Sequence, residues 1–409
     1  MERVFERVCG LDVHKATIAA CVRVPGPTGK RLQHVQTFGT TTADLLALRD
    51  WLDGHAVTHV AMESTGVYWR PIYYLLEERL TCLLVNAAHV RQVPGRKTDV
   101  QDCVWLAQLL EHGLLRGSFV PPAPIRELRD LTRYRKSLIQ ERAREANRVH
   151  KLLEDAGIKL AMVATDVLGM SGRAMLEALV QGTSDPAVLA ELARGRMRAK
   201  LPALRQALVG HFRPHHAFLI TQILSHLDHL EEAVATLSER IEAVLAPFAD
   251  ALQRLDTIPG VNQRTAEVLI AELGVDMGQF PTARHLASWA GLCPGNHESA
   301  GKHKSGKTRK GNGWLRAALV EAALGATRTK NSAVAARYRR VMRHRGHKKA
   351  IIAVAHVLLI TAYHVLARQT VYQELGPDYY DRRHTERITH RAVQALEQQG
   401  YRVTLERVA

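Results

Sequence analysis

"RVCGLDVHKATIAACVRV" (residues 7–24) is the stretch whose reading decides the fold. Two short β-prone apolar runs flank a polar break at His14-Lys15, the pattern of two strands joined by a turn. A third run, "LQHVQTF" (32–38), completes a three-stranded antiparallel start. "TTADLLALRDWLDG" opens with Thr at a capping position and spaces its leucines as a helix does. "THVAMEST" (58–65) reads as a fourth strand, "YWRPIYYLLEERL" as a helix and "TCLLVNA" (81–87) as a fifth strand. A helix beginning near Asp99 closes the unit. Three strands followed by strands alternating with helices is an α/β layer pattern.

That last helix, "KTDVQDCVWLAQLL" (97–110), places Asp99 and Asp102 in an otherwise apolar run. Asp suits a first helical turn, where it meets the positive end of the dipole, so a capped helix start is the plain account. The spacing i, i+3 also stacks both carboxylates on one face, where they could share a metal. Two further acids decide between these. Asp12 ends the apolar run of the first strand and Glu63 that of the fourth, both in surroundings where an unpaired charge is costly. A ribonuclease H-like sheet would set the ends of strands 1 and 4 side by side and lay the last helix across them. Carboxylates gathered in this way repel one another, and divalent cations relieve the repulsion.

The chain has 409 residues, which suggests two or three domains, and 46% hydrophobic content, which is ordinary for a folded protein. A net charge of +16 and pI near 9.9 point to a polyanionic partner. "MERVFERVCG" lacks the apolar core of a signal peptide. The apolar stretch 350–367 is interrupted by His356, Thr361, Tyr363 and His364 and reads as a buried helix rather than a span. Cys9, Cys21, Cys82, Cys103 and Cys293 form no CxxC pair, which argues against a zinc site or disulfide framework. The expectation is a cytoplasmic, nucleoid-associated nucleic-acid protein with no membrane partner.

"FVPPAPIREL" marks a boundary, so residues 1–120 form the first expected domain. Residues 121–250 are strongly helical and charge-laced and suggest an antiparallel helical pair or coiled coil. A third domain spans 251–375 and a tail 376–409. The third opens with "LDTIPGVNQRTAEVLIAELG" (255–274), which looks like a helix-hairpin-helix element. Its Pro-Gly turn at Gly260 would offer backbone N–H groups to a phosphate, and an ordinary helical hairpin is the alternative.

From Gly295 the chain turns Gly-rich and basic, with Lys302, Lys304, Lys307, Arg309, Lys310 and Arg316 against Glu298 alone. Glycine lets backbone approach a ligand, and the cations match phosphates. Residues 327–349 carry nine Lys/Arg and no acid, a second phosphate-tracking surface.

"GLDVHK", "MESTGVYW", "GRKTDVQDCVWLAQLL", "LDTIPGVNQRTAEVLIAELG" and "GLCPGNHESAGKHKSGKTRKGNGWLRAAL" occur in this order. Together they resemble the DEDD insertion-sequence transposases of the insertion-sequence-110 type over nearly the whole chain. "NHES" with the "HKSGKTRKGN" tail is similar to the family's 1111 branch. The resemblance implies an N-terminal RuvC-like DEDD domain (1–120), a helical coiled-coil dimerisation arm (121–250) and a transposase domain (251–375). It implies that Asp12, Glu63, Asp99 and Asp102 are the catalytic, metal-binding tetrad and Ser299 the nucleophile, with Ser305 the competing serine. Ala300 stands where the family often has Gly or Ser.

The implied cofactor is Mg²⁺ or Mn²⁺, and the implied partners are donor and target DNA, an element-encoded guide RNA and further copies of the chain, as dimer or tetramer. Two metals would clamp the attacking and leaving oxygens of a phosphodiester. Serine is a weak nucleophile until its deprotonation is promoted, which metals held by the tetrad could do. The serine is far from the tetrad in sequence, so a composite site completed across a dimer is expected. The rivals are a Holliday-junction resolvase or related hydrolase, which needs the tetrad alone, and a non-catalytic nucleic-acid-binding protein, in which the acids only cap.

Overall fold

The computed structural model describes residues 2–26, 30–63, 66–86, 99–295, 297–299 and 302–406, with the side chains of 99–101, 297–299, 303–305, 384, 386 and 387 outside that description. The chain forms two compact units, Met1–Val120 and Pro121–Ala409. The N-terminal unit is a mixed α/β sheet domain and the second is mostly helical.

The first unit carries β1 (Val8–Val13), β2 (Thr17–Pro25), β3 (Arg31–Gly39), α1 (Thr42–Gly54), β4 (His59–Glu63), α2 (Trp69–Leu76), β5 (Thr81–Val85) and α3 (Asp99–Glu111). The strands stand in the order β3-β2-β1-β4-β5. β1–β2 and β2–β3 pair antiparallel, whereas β4 lies parallel to both β1 and β5. β1 is central and covered on both faces, so it reads as an unbroken buried run. β3, at the edge, alternates little and is largely exposed.

The pleat sorts β1 onto two faces. Leu11 and Val13 join Met62, Leu48 and Leu52 in the core on the α1 side. Gly10 faces α3, and a Cβ there would meet the Cys103 carbonyl oxygen at 2.2 Å and the Ala107 nitrogen at 2.5 Å. Only a glycine allows the helix to lie this close to the sheet. α1 starts on a capping box between Thr41 and Asp44, as its Thr pair predicts.

In the second unit α4 (Ala123–Asp155) and α9 (Pro214–Leu245) run antiparallel: Arg142 meets Glu231, His226 meets Glu145, and His216 meets Asp155. Between them α5 (Leu160–Val163), α6 (Met170–Val180), α7 (Pro186–Glu191) and α8 (Leu201–Ala207) build their own core around Leu160, Met175, Leu176 and Leu204. There follow α10 (Ala249–Asp256), α11 (Gln263–Leu273) and α12 (Ala283–Trp289), then the strands β6 (His297–Ser299) and β7 (Lys302–Ser305). α13 (Gly313–Ala326), α14 (Ala333–Arg345), α15 (His347–Arg368) and α16 (Tyr379–Glu397) complete the chain. α15 is long and apolar enough to cross a membrane by length and composition, but Val354, Ala355, Leu358 and Leu359 are buried against neighbouring helices.

Two expectations change. The basic Gly-rich loop contains a short antiparallel hairpin, β6–β7, because its backbone groups pair across the loop where no apolar alternation announces a strand. The tail holds a 19-residue helix, α16, fixed to α14 through Arg337 over the Tyr380 ring and Arg340 on the Tyr380 carbonyl.

Candidate active site

The parallel pairing of β1 with β4 ends at Leu11↔Met62, so Asp12 and Glu63 each stand one step further, at adjacent strand ends. Each also follows by two residues a position that faces α3: Gly10 touches it, and Ala61 packs on Leu106 and Leu110. Period-two alternation therefore turns both carboxylates toward α3. Asp12 is 9% exposed and Glu63 half-buried. Asp102 lies half-buried in the first turns of α3, whose Cys103, Leu106 and Leu110 are buried.

Cys103 reports how near the acids come. Burial, then the Asp12 carboxylate and more weakly Asp102, push its thiol up to about 11. The structure thus brings Asp12 and Asp102 near Cys103 and sets Glu63 at the neighbouring strand end. The backbone of Asp99 opens α3, but its side chain lies outside the described residues. Among the described residues no three His, Cys, Asp or Glu side chains form a ready-made metal cluster. The donor chemistry fits hard divalent ions, which take carboxylate oxygens.

Sequence reading passed over three parts of this unit. His14 was only a polar break, yet its Nε2 lies 3.1 Å from Asp12 Oδ2. Gly10 was an unremarked residue of the first run. Glu111, 1% exposed at the far end of α3, gathers Arg3, Arg23 and Arg31 at 3.6, 2.7 and 3.0 Å. A charged residue closing an apolar helical run was the available signal for Glu111.

In the second unit Ser299 ends β6, and its register partner is Lys302 at the start of β7. The side chains of Ser299, Lys304 and Ser305 lie outside the described residues. Lys302, Lys307, Arg309 and Lys310 are exposed, and Arg316 is half-buried in α13. The segment is closed at its base by the Pro294–Thr308 bridge and the Gly295 N–H donating to the Lys307 carbonyl. There Gly311 packs so tightly that a Cβ would lie 2.4 Å from the Gly291 nitrogen.

The segment leaves its base through Asn312, whose Oδ1 accepts from the Trp314 and Leu315 N–H groups and starts α13. Its Nδ2 donates to Glu272, a fully buried carboxylate that also accepts two bonds from Arg133 at 2.7 and 2.8 Å. Gly260 has a φ of 82°, and its bare Cα faces α13, where a Cβ would meet the Ala322 oxygen at 2.3 Å. Asn262 already caps the following helix by accepting from the Thr265 N–H.

An α/β unit with carboxylates converging at adjacent strand ends, followed by a basic helical unit, is the build of a DNA-processing transposase. Comparison with known proteins agrees. Residues 9–158 match the DEDD transposase model of the IS110 type, and residues 252–339 match the transposase model of the IS116/IS110/IS902 family. A probable family 20 transposase of Pseudomonas aeruginosa is 27% identical over 321 residues, covering 77% of this chain and 85% of that protein. An IS110 insertion-element protein of Streptomyces coelicolor is 27% identical over 308 residues, covering 69% and 74%. A pilin gene-inverting protein of Moraxella bovis is 22% identical over 385 residues, covering 89% and 97%. The chain belongs to the IS110 family of transposases.

Proposed function

We propose that this transposase cuts and rejoins DNA strands through a covalent Ser299–DNA phosphoester, with Asp12, Glu63, Asp99 and Asp102 as its acidic tetrad. The observation that supports the reading is the position of Asp12 and Glu63 at adjacent ends of the parallel strands β1 and β4, with Asp12 and Asp102 both beside Cys103 of α3. The relationship to a pilin gene-inverting protein supports rejoining as well as cutting.

The Ser299 hydroxyl gives up its proton and attacks phosphorus. A P–O bond to the serine forms as the bridging P–O bond to the leaving strand end breaks, and that oxygen takes up a proton. The bond energy stays in the phosphoester, so a hydroxyl of another strand can reverse the step. When bound by the tetrad carboxylates, Mg²⁺ or Mn²⁺ would supply Lewis-acid stabilisation of phosphate charge. Lys302 beside the serine, with Lys304, Lys307, Arg309, Lys310 and Arg316, would position the phosphate backbone. In the same reading the ribonuclease H-like, RuvC-type sheet domain carries the tetrad and the α4–α9 pair is a coiled-coil dimerisation arm. The α10–α11 turn is a helix-hairpin-helix element. An element-encoded RNA directs the enzyme, and the resemblance of the motifs is what supports that guide.

A denaturing gel of protein with Mg²⁺, element-derived RNA and labelled element-end DNA tests the chemistry. Label that migrates with the wild-type protein and is lost in both Ser299→Ala and Asp102→Ala supports the serine route. Free cleaved DNA that survives Ser299→Ala means hydrolysis, as in a junction resolvase. Mixing the two inactive variants tests sharing between protomers, since only a shared site regains activity.

A further inference from the structure

α14 and α15 meet at Gly346, which with φ of 75° ends one helix and begins the next. The two helix starts are treated differently. At the α14 N-terminus, Glu374 accepts from the Ala333 N–H at 2.8 Å and Ser332 caps the Ala335 N–H. Its last turn carries Arg343, His344 and Arg345, which suit the negative end of the dipole. The first turn of α15 has His347, Lys348 and Lys349, with no acid and no side-chain cap. Cations there oppose the positive end of the dipole. On α14 the like-charged pair Arg339 and Arg343, spaced i, i+4, is also unfavourable.

Arg337 and Arg340 are engaged by α16. Arg339, Arg343, Arg345, Lys348 and Lys349 are exposed, and among the described residues no acid forms an ion pair with them. No Asp or Glu occurs between Glu321 and Glu374, a stretch with ten Lys/Arg. Among the described residues only Asp381, on Arg340, offsets this accumulation, which leaves room for counter-charge from outside.

We propose that the α14–Gly346–α15 corner is a docking surface for the backbone of double-helical DNA, separate from the serine hairpin. The choice of DNA rests on the transposase reading. A duplex is favoured over unpaired strands because the corner shows no aromatic platform for bases. Its one tyrosine, Tyr338, is half-buried and hydrogen-bonded to His347 at 2.8 Å. The corner reads charge rather than sequence.

The test is duplex binding by the full chain across a KCl series. The quadruple variant Arg339→Gln, Arg343→Gln, Lys348→Gln, Lys349→Gln is compared with a control of equal charge loss, Arg144→Gln, Lys151→Gln, Arg196→Gln, Arg391→Gln. For the corner variant the slope of log K against log[salt] should become shallower by about 3 to 4, at roughly 0.9 per lost phosphate contact. Its melting temperature should hold or rise, since like-charge repulsion is relieved. The control should keep most of the wild-type slope. An unchanged slope in the corner variant, or an equal change in the control, overturns the proposal. So does a loss confined to duplex RNA of the same sequence, or confined to phosphatidylserine vesicles. Ser299→Ala should bind with the wild-type slope, so failure of the serine chemistry and failure of this surface are read separately.

Discussion

Residues 1–120 carry 13 Lys/Arg against 12 Asp/Glu, whereas residues 121–409 carry 43 against 28, so the net +16 divides as +1 and +15. The near-neutral unit is not evenly neutral. It collects acids at one end of α3 and matches Glu111 with arginines at the other. The basic unit spreads its excess over exposed helix surface and gives its buried acids arginine partners, Glu267 with Arg135, Glu272 with Arg129 and Arg133, and Glu145 with Arg148. The difference teaches that net charge and local charge are separate quantities: one unit spreads a cation excess over its surface, the other sets acids and arginines at opposite ends of one helix.

The comparison can be broken most directly by exchanging the two kinds of loss. Asp12→Asn should lower strand cutting by at least about 100-fold, the scale of removing one group that acts on transition-state charge. DNA affinity measured by filter binding should stay within about twofold; a parallel fall in affinity would merge the two roles. Glu272→Ala leaves the Arg133 charge without its buried partner and should cost about 3–5 kcal/mol in the second unit, measured by urea unfolding. Gly10→Ala forces α3 off the sheet and should cost about 1–3 kcal/mol in the first unit. It should also impair cutting, because Asp102 rides on that helix; full activity would separate α3 placement from chemistry. The smallest effect is one of pH. Burial, with Arg337 nearby, lowers the His356 pKa in the second unit. As pH falls below the ordinary value of 6.5, the unfolded chain takes up this proton first and stability declines until the folded pKa is passed. His356→Gln should flatten that acid-side decline in melting temperature.

Much of the first unit was legible because β1, β2, β4, α1 and α3 depend on local pattern: apolar runs, the Thr cap of α1 and a helical repeat. Asp12 and Glu63 stood out as charges ending apolar strands. The arginines on Glu111 did not, since Arg23 and Arg31 lie 88 and 80 positions away and only the folded sheet brings them there. One reason for a glycine at 260 was hidden in a similar way: a distant helix, α13, lies against its Cα and leaves no room for a Cβ. β6–β7 escaped notice because strands of three and four residues in a basic segment have no buried face to alternate. The same holds for α16, whose anchorage comes from two arginines of α14.

The Glu111 cluster has a mechanical consequence for the acids at the opposite end of α3. Glu111 lies nine residues beyond Asp102, about 14 Å along the axis at 1.5 Å per residue. The arginines, together with the Val4 and Phe5 N–H groups donating to the Glu111 carbonyl, clamp that end to the N-terminal segment and β2. A rod gripped at one end has a fixed angular phase at the other. One residue inserted between the clamp and Asp102 would rotate that acid by about 100°. Its place beside Cys103 is thus set by a count of residues as much as by the acid itself.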